Sequence, residues 1–427
     1  MRSQSFVGVL LSFAAALTVV AGPAAAQQLG SYNIRQDRIF VAGISSGGYM
    51  AVQMHVAFSS LFKGAAIYAG GPYDCAQGSL ATAVTTCETN SPPVNVAALE
   101  SIPASWASQG LIDPVANLKG QPVYLWSGTA DRTVVQPVMD ALQSFYRNFQ
   151  ASVHYDNNFD AQHGWESPYA QLPCQQLGSP YVIHCTNADQ TAGAGIASAT
   201  GVSIPGLSLA GLSVPGLSVP GLSLSGGSLP GLSLSGWSLP GGSLPGEFLP
   251  GGFLPGGSLP GWSLPGQSSS PSAPYDSEKV WLTQWFGNLN PKNEGTLKGG
   301  VISFDQNEFA PSGNATAISM DQTGHAFVPA QCANGQQCGL VLVLHGCLQN
   351  FSAVGWAFID DAGVNEWADT NGIIVLYPQT VATNEGNPEG CWDWWGYLND
   401  PDYAQKTGPQ MQALSAMVTR VAGLEAP

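Results

Sequence analysis

The chain has 427 residues, with 12 lysine and arginine residues against 28 aspartate and glutamate residues, and a formal net charge of −16. This balance excludes nucleic acid and anionic membrane surfaces as favoured partners, because both carry the same sign of charge. Only 9% of the residues are charged, so the surface is built mainly from neutral and apolar groups, which suits a hydrophobic partner.

The first 26 residues are predicted to be a secretory signal peptide. Arg2 supplies the positive start, residues 7–20 are largely apolar, and Ala24-Ala25-Ala26 offers a small-residue cleavage site. The apolar stretch is short for a membrane helix, and no later run reaches spanning length. We therefore expect an exported protein, secreted or periplasmic, without a membrane span.

The most informative motif is Gly43-Ile44-Ser45-Ser46-Gly47, which follows a strand-like run at 38–42 and precedes a helix-like run at 48–54. This is the context of a G-x-S-x-G nucleophile elbow, in which glycines permit a sharp turn and the serine hydroxyl stands above the sheet edge. Ser45 is therefore the predicted nucleophile. The backbone N–H of Ser46, at the helix start, is the first predicted oxyanion donor.

A serine nucleophile needs a base and an acid, and α/β-hydrolases supply them in the chain order serine, acid, histidine. Asp131 follows a predicted strand at 122–126, and His163 follows the next predicted strand at 152–155. We therefore predict Asp131 as the acid and His163 as the base. Two other carboxylates remain open as the acid: Asp156 and Asp160.

Residues 201–270 follow a five-residue period of the type G-x-S-L-P, as in Gly236-Trp237-Ser238-Leu239-Pro240. Proline at most steps is incompatible with a continuous helix or a central strand, and Pro-Gly favours type II turns. We interpret this repeat block as an inserted spacer. An adhesive segment for a hydrophobic solid and a stacked solenoid remain open as alternatives. The predicted division of the chain is a signal peptide at 1–26, a first catalytic part at 27–190, the insertion at 191–274 and a second catalytic part at 275–427.

Globular sequence resumes after the repeat block. A helix is predicted at 277–286, two buried strands at 339–344 and 373–377, and an amphipathic helix at 408–424. The globular sequence on both sides of the block therefore reads as one interrupted domain.

The strand at 339–344 leads directly into His345-Gly346-Cys347-Leu348-Gln349. An oxyanion hole needs a second N–H donor from a strand–loop junction, and no such motif precedes Ser45. We therefore predict the Cys347 N–H as that donor. Its position after the triad suggests a circular permutation, in which strands that usually come first are placed last.

Eight cysteines in an exported chain predict disulfides. Proximity in the sequence favours three pairs and leaves a fourth: Cys75–Cys87, Cys174–Cys185, Cys332–Cys338 and Cys347–Cys391. The chain contains no C-x-x-C pair, so a structural zinc site is not expected, and the predicted chemistry needs no metal or cofactor.

Three segments together resemble the poly(3-hydroxybutyrate) depolymerases, and the order of the motifs is similar to the circularly permuted branch of that family. The segments are Arg38 to Gly48, His345 to Gln349, and Cys391-Trp392-Asp393-Trp394-Trp395-Gly396. The resemblance implies a circularly permuted α/β-hydrolase, here with a low-complexity pentapeptide-repeat insertion. It implies these roles: Ser45, Asp131 and His163 as the triad, and Ser46 and Cys347 as the oxyanion donors. It also implies a tryptophan bordering the substrate crevice, either Trp394 or Trp395.

By this resemblance the chain is a serine esterase that hydrolyses poly(3-hydroxybutyrate) or its oligomers through an acyl-enzyme. The expected partner is a hydrophobic polyester, for which the aromatic side chains of Trp392, Trp394, Trp395 and Tyr397 are candidate lining residues. Feruloyl and acetylxylan esterases share the elbow and the H-G-C type motif, so those substrates remain open. A non-catalytic adhesive surface protein, with the repeat block as its active part, is the alternative from another class.

Overall fold

The computed structural model describes residues 26–191, 272–384 and 386–425, together with the backbone of two short strands inside the repeat block. Nearly all of the predicted signal peptide, and the repeat block apart from those two strands, lie outside the described residues. The bounds of the strands are β1 (Ile34–Ile44), β2 (Ala65–Tyr68), β3 (Pro122–Trp126), β4 (Ser152–Asp156), β5 (Trp165–Glu166), β6 (Leu172–Pro173), β7 (Val182–His184), β8 (Ser238–Leu239), β9 (Gly242–Ser243), β10 (Gly300–Asp305), β11 (Thr323–Val328), β12 (Cys338–Leu344) and β13 (Ile373–Tyr377).

The described helices alternate with the strands along much of the chain. Their bounds are α1 (Ser46–Ala57), α2 (Leu80–Thr82), α3 (Val96–Ser108), α4 (Gln136–Asn148), α5 (Ser277–Phe286), α6 (Ala330–Ala333), α7 (Phe351–Val354), α8 (Ala357–Asp361), α9 (Val364–Asn371) and α10 (Pro409–Ala422). A π-helical turn, Ala83–Cys87, follows α2 directly. Among these helices, none combines the length and the apolar character that a membrane crossing requires.

One large sheet carries eight of the strands in the order β10-β11-β13-β12-β1-β2-β3-β4. The six strands from β13 to β4 run parallel, whereas β11 is antiparallel to both of its neighbours, β10 and β13. At the centre of the sheet, Gly43 on β1 pairs with Leu344 on β12 and with Ile67 on β2. The carboxyl ends of the central strands therefore meet at one edge, where α/β proteins build their sites.

Helices cover both faces of this sheet. Successive side chains of β1 point to opposite faces: Ile39 and Val41 join the core packed by α1, α4 and α10, while Phe40 and Ala42 join the core packed by α5 and α9. A parallel sheet buried on both faces explains why the central strands are continuous apolar runs.

The two ends of the described chain lie together. The backbone N–H of Tyr32, just before β1, donates a hydrogen bond of 2.9 Å to the carbonyl of Val421 in α10. The C-terminal helix thus ends beside the start of the strand that carries the elbow.

The segments that flank the repeat block also lie side by side. The N–H of Asn187 donates to the carbonyl of Ala273 at 3.1 Å, and the N–H of Tyr275 donates to the carbonyl of Cys185 at 2.8 Å. Cys185 is itself fixed by a disulfide to Cys174. The chain therefore leaves and re-enters the described fold at one place.

All eight cysteines are paired, and the pairing agrees with the prediction from their spacing. The disulfides are Cys75–Cys87, Cys174–Cys185, Cys332–Cys338 and Cys347–Cys391. Four disulfides in one chain indicate an oxidising compartment.

Candidate active site

Ser45 occupies the sharp turn between β1 and α1. Its φ of 55° and ψ of −125° lie outside the regions that non-glycine residues normally adopt. Two hydrogen bonds of 2.9 Å hold this conformation: the Ser45 N–H donates to the Tyr68 carbonyl, and the Tyr49 N–H donates to the Ser45 carbonyl. A strained serine held on a strand–helix turn is the geometry of a nucleophile elbow.

The glycines of the elbow are required because backbone atoms of the elbow itself and of the loop at 345–349 lie where a Cβ would be. A Cβ on Gly47 would lie 2.3 Å from the carbonyl oxygen of His345, and a Cβ on Gly43 would lie 2.1 Å from that of Gly47. On the other side, a Cβ on Gly346 would lie 3.0 Å from the Cβ of Ser45. The elbow and the loop at 345–349 are therefore in direct contact, although 300 residues separate them in sequence.

Asp131 and His163 meet at the ends of β3 and β4. The Nδ1 of His163 lies 2.8 Å from Oδ2 of Asp131, and the two side chains are only 7% and 1% exposed. The second carboxylate oxygen, Oδ1, accepts from the backbone N–H groups of Thr133 at 2.8 Å and Val134 at 3.0 Å. Both carboxylate oxygens are thus occupied, and the imidazole is held in one orientation.

The alternative acids do not meet His163. Asp156 accepts hydrogen bonds from the hydroxyls of Tyr124 at 2.8 Å and Tyr275 at 2.6 Å, and it pairs with His154. Asp160 is exposed, and among the described residues the carboxylate that bonds to His163 is that of Asp131.

The electrostatic environment raises the pKa of His163. Burial disfavours the imidazolium and by itself lowers the pKa of His163, but the charge and hydrogen bond of Asp131, assisted by the charge of Glu88, outweigh it. The net result is a raised pKa. This is the behaviour expected of a histidine that accepts a proton during a reaction.

Ser45 is not joined to this pair by a hydrogen bond. Within the described residues, neither Ser45 Oγ nor Nε2 of His163 has a hydrogen-bond partner. Such bonds are often long in unliganded hydrolases and tighten when the substrate binds. The structure therefore brings Asp131 and His163 together and puts Ser45 at the end of β1, on the same edge of the sheet, with β2 between β1 and β3.

The two predicted oxyanion donors flank the elbow. Neither the Ser46 N–H nor the Cys347 N–H donates a hydrogen bond within the described part of the chain. The Ser46 hydroxyl accepts from the Trp392 N–H at 3.4 Å, and the disulfide to Cys391 anchors Cys347. Both donors are thus free and both are held by the segment that begins at Cys391.

The aromatic residues after Cys391 separate into two groups. Trp394 stacks on Tyr49 with ring centroids 3.9 Å apart, and Trp395 packs edge-on against Trp394; their exposed fractions are 4% and 9%. Trp392 is fully buried, and its Nε1–H donates to the His345 carbonyl at 2.9 Å. The expectation that Trp392 lines a crevice is therefore wrong, because this side chain supports the loop from inside.

Glu88 is a member of the site that the sequence did not indicate. It follows Cys87 at the end of the π-helical turn, and its charge acts on His163 and Asp131. Burial raises the pKa of Glu88 to about 7, with added repulsion from Glu389 and Asp131, against the opposite effect of His163. No local motif marks this residue, because a disulfide-closed loop brings it to the site.

One group of potential metal ligands lies beside the site among the described residues: Cys347, Glu389 and Cys391, with donor atoms within 4.8 Å of one another. The two sulfur atoms form a disulfide and supply no thiolate. The group is therefore not suited to hold a metal ion.

Two sequence relatives decide the family. The chain is 35% identical over 416 residues to a poly(3-hydroxybutyrate) depolymerase of Delftia acidovorans, covering 96% of this chain and 64% of the relative. It is 31% identical over 418 residues to a polyhydroxybutyrate depolymerase of Talaromyces funiculosus, covering 94% of both chains. The chain belongs to the poly(3-hydroxybutyrate) depolymerase family. The family predicted from the sequence motifs is thus confirmed.

Solved structures of depolymerases agree. The crystal structure of the depolymerase from Penicillium funiculosum matches with a TM-score of 0.66 at 29% identity, covering 93% of this chain and all of that one. A serine-to-alanine depolymerase variant complexed with an R3HB trimer matches equally well. No protein-family model matches the chain. Depolymerases of this family are carboxylic ester hydrolases with an α/β fold. The chain spans about two thirds of the Delftia relative, 64% of its length.

Proposed function

We propose that this member of the depolymerase family hydrolyses the ester bonds of poly(3-hydroxybutyrate) or its oligomers through an acyl-enzyme on Ser45. The observation that carries the proposal is the buried Asp131–His163 pair, with its 2.8 Å hydrogen bond, at the sheet edge that also bears the strained Ser45. The relatives named as polyhydroxybutyrate depolymerases support the substrate over feruloyl or acetyl esters.

In the first half of the reaction, His163 takes the proton of the Ser45 hydroxyl as Oγ attacks the ester carbonyl carbon. The carbonyl oxygen becomes an oxyanion and accepts hydrogen bonds from the N–H groups of Ser46 and Cys347. When the tetrahedral intermediate collapses, His163 returns the proton to the departing alcohol oxygen, and the acyl group remains on Ser45.

In the second half, His163 removes a proton from water, and the resulting hydroxide attacks the acyl carbon. Collapse of the second intermediate releases the carboxylic acid and returns the proton to Ser45. Asp131 orients the imidazole through its hydrogen bond to Nδ1 and stabilises the imidazolium that forms. The product is a 3-hydroxy acid or a short oligomer.

The proposed contact with the polyester is aromatic. Trp394 and Trp395 keep a small exposed fraction and are held by Tyr49, so one of them is suited to border the bound acyl chain. A neutral polyester needs apolar surface rather than charge, which fits the low content of charged residues.

The same proposal covers the arrangement of the chain. A circularly permuted α/β-hydrolase is supported by the adjacent ends at Tyr32 and Val421. It is also supported by the four strands on one side of β1 in the sheet, β10 to β13, which come from the C-terminal part of the chain. The repeat block, within 191–274, is proposed as an insertion into one catalytic domain, since its flanking segments pair with each other. Signal-directed export, to the periplasm or the medium, is supported by the four disulfides.

The test compares the wild-type protein with Ser45→Ala on three substrates: a suspension of poly(3-hydroxybutyrate), p-nitrophenyl butyrate and a feruloyl ester. We expect the wild type to release 3-hydroxybutyrate and nitrophenol, and Ser45→Ala to release neither above background. Ser101→Ala, on the exposed face of α3, is the matched control and should keep full activity. Turnover of the feruloyl ester alone would show that the substrate is a feruloyl ester and not the polyester. Activity in Ser45→Ala would overturn the mechanism. Absence of any turnover by the wild type would favour the adhesive protein.

A further inference from the structure

The imidazole of His345 has no role in the proposed reaction, although His345 is the first residue of the loop at 345–349 that carries the Cys347 N–H. It is fully buried at the end of β12, one residue before Gly346 and two before Cys347. Its Nδ1 lies 2.7 Å from the carbonyl oxygen of Gly346, and its Nε2 lies 3.3 Å from the backbone nitrogen of Thr380.

These two partners determine the tautomer. A carbonyl oxygen only accepts, so Nδ1 must carry the proton, and a backbone N–H only donates, so Nε2 must be unprotonated. The Thr380 hydroxyl also lies 3.3 Å from Nε2, but it donates its hydrogen to the carbonyl of Gly390, so the donor to Nε2 is the backbone N–H of Thr380. Burial lowers the pKa of His345 to about 4, and the hydrogen bond to Gly346 only partly opposes this, so the ring is neutral at neutral pH.

The Gly346 carbonyl and the Cys347 N–H belong to the same peptide group. A trans peptide is planar, so its C=O and N–H point in opposite directions and cannot be turned separately. This bond is not among the cis peptides of the described chain. A donor that holds the Gly346 carbonyl on one side therefore aims the Cys347 N–H at the other side, where Gly346 faces Ser45.

Other residues hold the peptide groups on either side, whereas the Gly346 carbonyl is held by the His345 side chain and by one hydrogen bond of a turn. The Gly346 N–H donates to Oε1 of Gln349 at 2.7 Å, and Trp392 holds the His345 carbonyl. The Gly346 carbonyl also accepts a longer bond, 3.3 Å, from the Gln349 N–H. His345 thus supplies the shorter of the two bonds that fix the orientation of the Cys347 N–H.

We propose that His345 is a positioning residue: by donating from Nδ1 to the Gly346 carbonyl, it aims the Cys347 N–H at the oxyanion formed on the substrate. The proposal rests on the proposed function, in which Cys347 is an oxyanion donor. It assigns to His345 an effect on the transition state and none on ground-state binding, because the oxyanion exists only after attack.

Two variants distinguish the contribution of Nδ1 from that of Nε2. His345→Asn puts an amide N–H near the Nδ1 position and keeps the donor to Gly346, whereas His345→Gln puts its amide near the Nε2 position and loses that donor. Deleting an oxyanion donor costs about 10²- to 10³-fold in kcat. The loss should be smaller here, because the Gln349 N–H still donates to the Gly346 carbonyl. We expect His345→Gln to lose about 10- to 100-fold in kcat with KM nearly unchanged, and His345→Asn to retain most of kcat.

Affinity for a boronic acid, which forms a tetrahedral adduct with the serine, should fall in His345→Gln by a factor similar to that in kcat. The acid limb of the pH profile should not move in either variant, because His163 and Asp131 are untouched. Equal losses in both variants, or full kcat and boronate affinity in His345→Gln, would overturn the proposal.

A measurement on the wild-type protein covers the case in which neither variant folds. The ¹⁵N shifts of His345 should report the neutral Nδ1–H tautomer from pH 5 to pH 9, and the Nε2–H tautomer would contradict the proposal. If Ser45→Ala remained active, the proposed function and this inference would fail together. If Ser45→Ala is inactive while His345→Gln is fully active, only the role of His345 fails.

Discussion

Oδ2 of Asp131 lies 2.8 Å from Nδ1 of His163, and Oδ1 of the same carboxylate accepts two backbone N–H groups from the turn that follows. The carboxylate therefore has no freedom to rotate without losing a hydrogen bond. Because Nδ1 faces Asp131, the free nitrogen of the ring is Nε2. This is the nitrogen that must exchange protons with Ser45 in the proposed reaction.

Replacing Asp131 by Asn should reduce kcat by about 10⁴-fold, the loss seen when the corresponding acid of a serine protease is changed to its amide. An amide can donate to Nδ1 and so stabilise the wrong tautomer, and it no longer stabilises the imidazolium. The measurement is the kcat for p-nitrophenyl butyrate. Asp160→Asn, an exposed carboxylate that sequence order left open as the acid, is the control. A larger loss in Asp160→Asn than in Asp131→Asn would show that the acid is assigned to the wrong residue.

Glu88→Gln should move the acid limb of the kcat/KM profile to lower pH. The charge of Glu88 favours the imidazolium and raises the pKa of His163, so its removal lowers that pKa and leaves more neutral base at mildly acidic pH. Glu88 has a pKa of about 7, raised mainly by burial, and is only partly ionised there, so the expected shift is a few tenths of a pH unit. The measurement is kcat/KM for a soluble ester between pH 5 and pH 9.

Glu389→Gln is the matched control for that shift. Glu389 raises the pKa of Glu88, so its loss leaves Glu88 more ionised and should not move the limb to lower pH. A limb that moves to lower pH in Glu389→Gln and stays in place in Glu88→Gln would contradict the assignment.

Much of the sheet could be predicted because its central strands are continuous apolar runs. The strands at 122–126 and 373–377 and the helix at 277–286 have the predicted bounds. β2 was not predicted, since Ala65–Tyr68 is a four-residue run with no periodicity to read. β10 and β11 were also missed, because His325 and Ser303 interrupt their apolar pattern.

The residues of the site also fall into those that the sequence could predict and those that it could not. Ser45, Asp131, His163 and the loop at 345–349 follow strand ends, and strand ends can be located in the sequence. Glu88 could not be predicted, because its approach to His163 depends on a disulfide-closed loop folding over the sheet edge. The partner of His345 is Thr380, on the loop after another strand, and no local pattern relates the two.

Two buried carboxyls predict a pH dependence of stability. Glu166 and Glu278 are fully buried, and each has one oxygen without a hydrogen-bond partner among the described residues. Burial raises the pKa of Glu166 from 4.5 to about 8, and burial together with the charge of Glu166 raises that of Glu278. Between pH 4.5 and 8 the folded protein thus binds more protons than the unfolded chain, and the free energy of unfolding falls as pH rises.

Glu166→Gln should therefore reduce the difference in Tm between pH 5 and pH 8, because an amide keeps the acceptor for the Ser277 N–H and cannot ionise. The measurement is thermal unfolding at both pH values. Glu294→Gln, an exposed carboxylate, is the control and should behave like the wild type. A difference in Tm that is the same in all three proteins would contradict the role given to the buried pair.

Removing the repeat block should leave the soluble esterase intact. Because Asn187 pairs with Ala273 and Tyr275 pairs with Cys185, a short glycine–serine linker from Thr191 to Ser272 joins two chain ends that the fold already holds together. We expect kcat/KM for p-nitrophenyl butyrate and Tm to stay close to wild type.

Adsorption to a poly(3-hydroxybutyrate) film, measured as bound protein at equal concentration, then tests what the block contributes. A second variant keeps the length of the block and replaces its Leu, Val, Phe and Trp residues by Ser, which separates apolar contact from spacing. Adsorption lost in both variants would identify the block as adhesive, adsorption unchanged in both would identify it as a spacer, and loss of soluble activity on deletion would contradict an insertion into one domain.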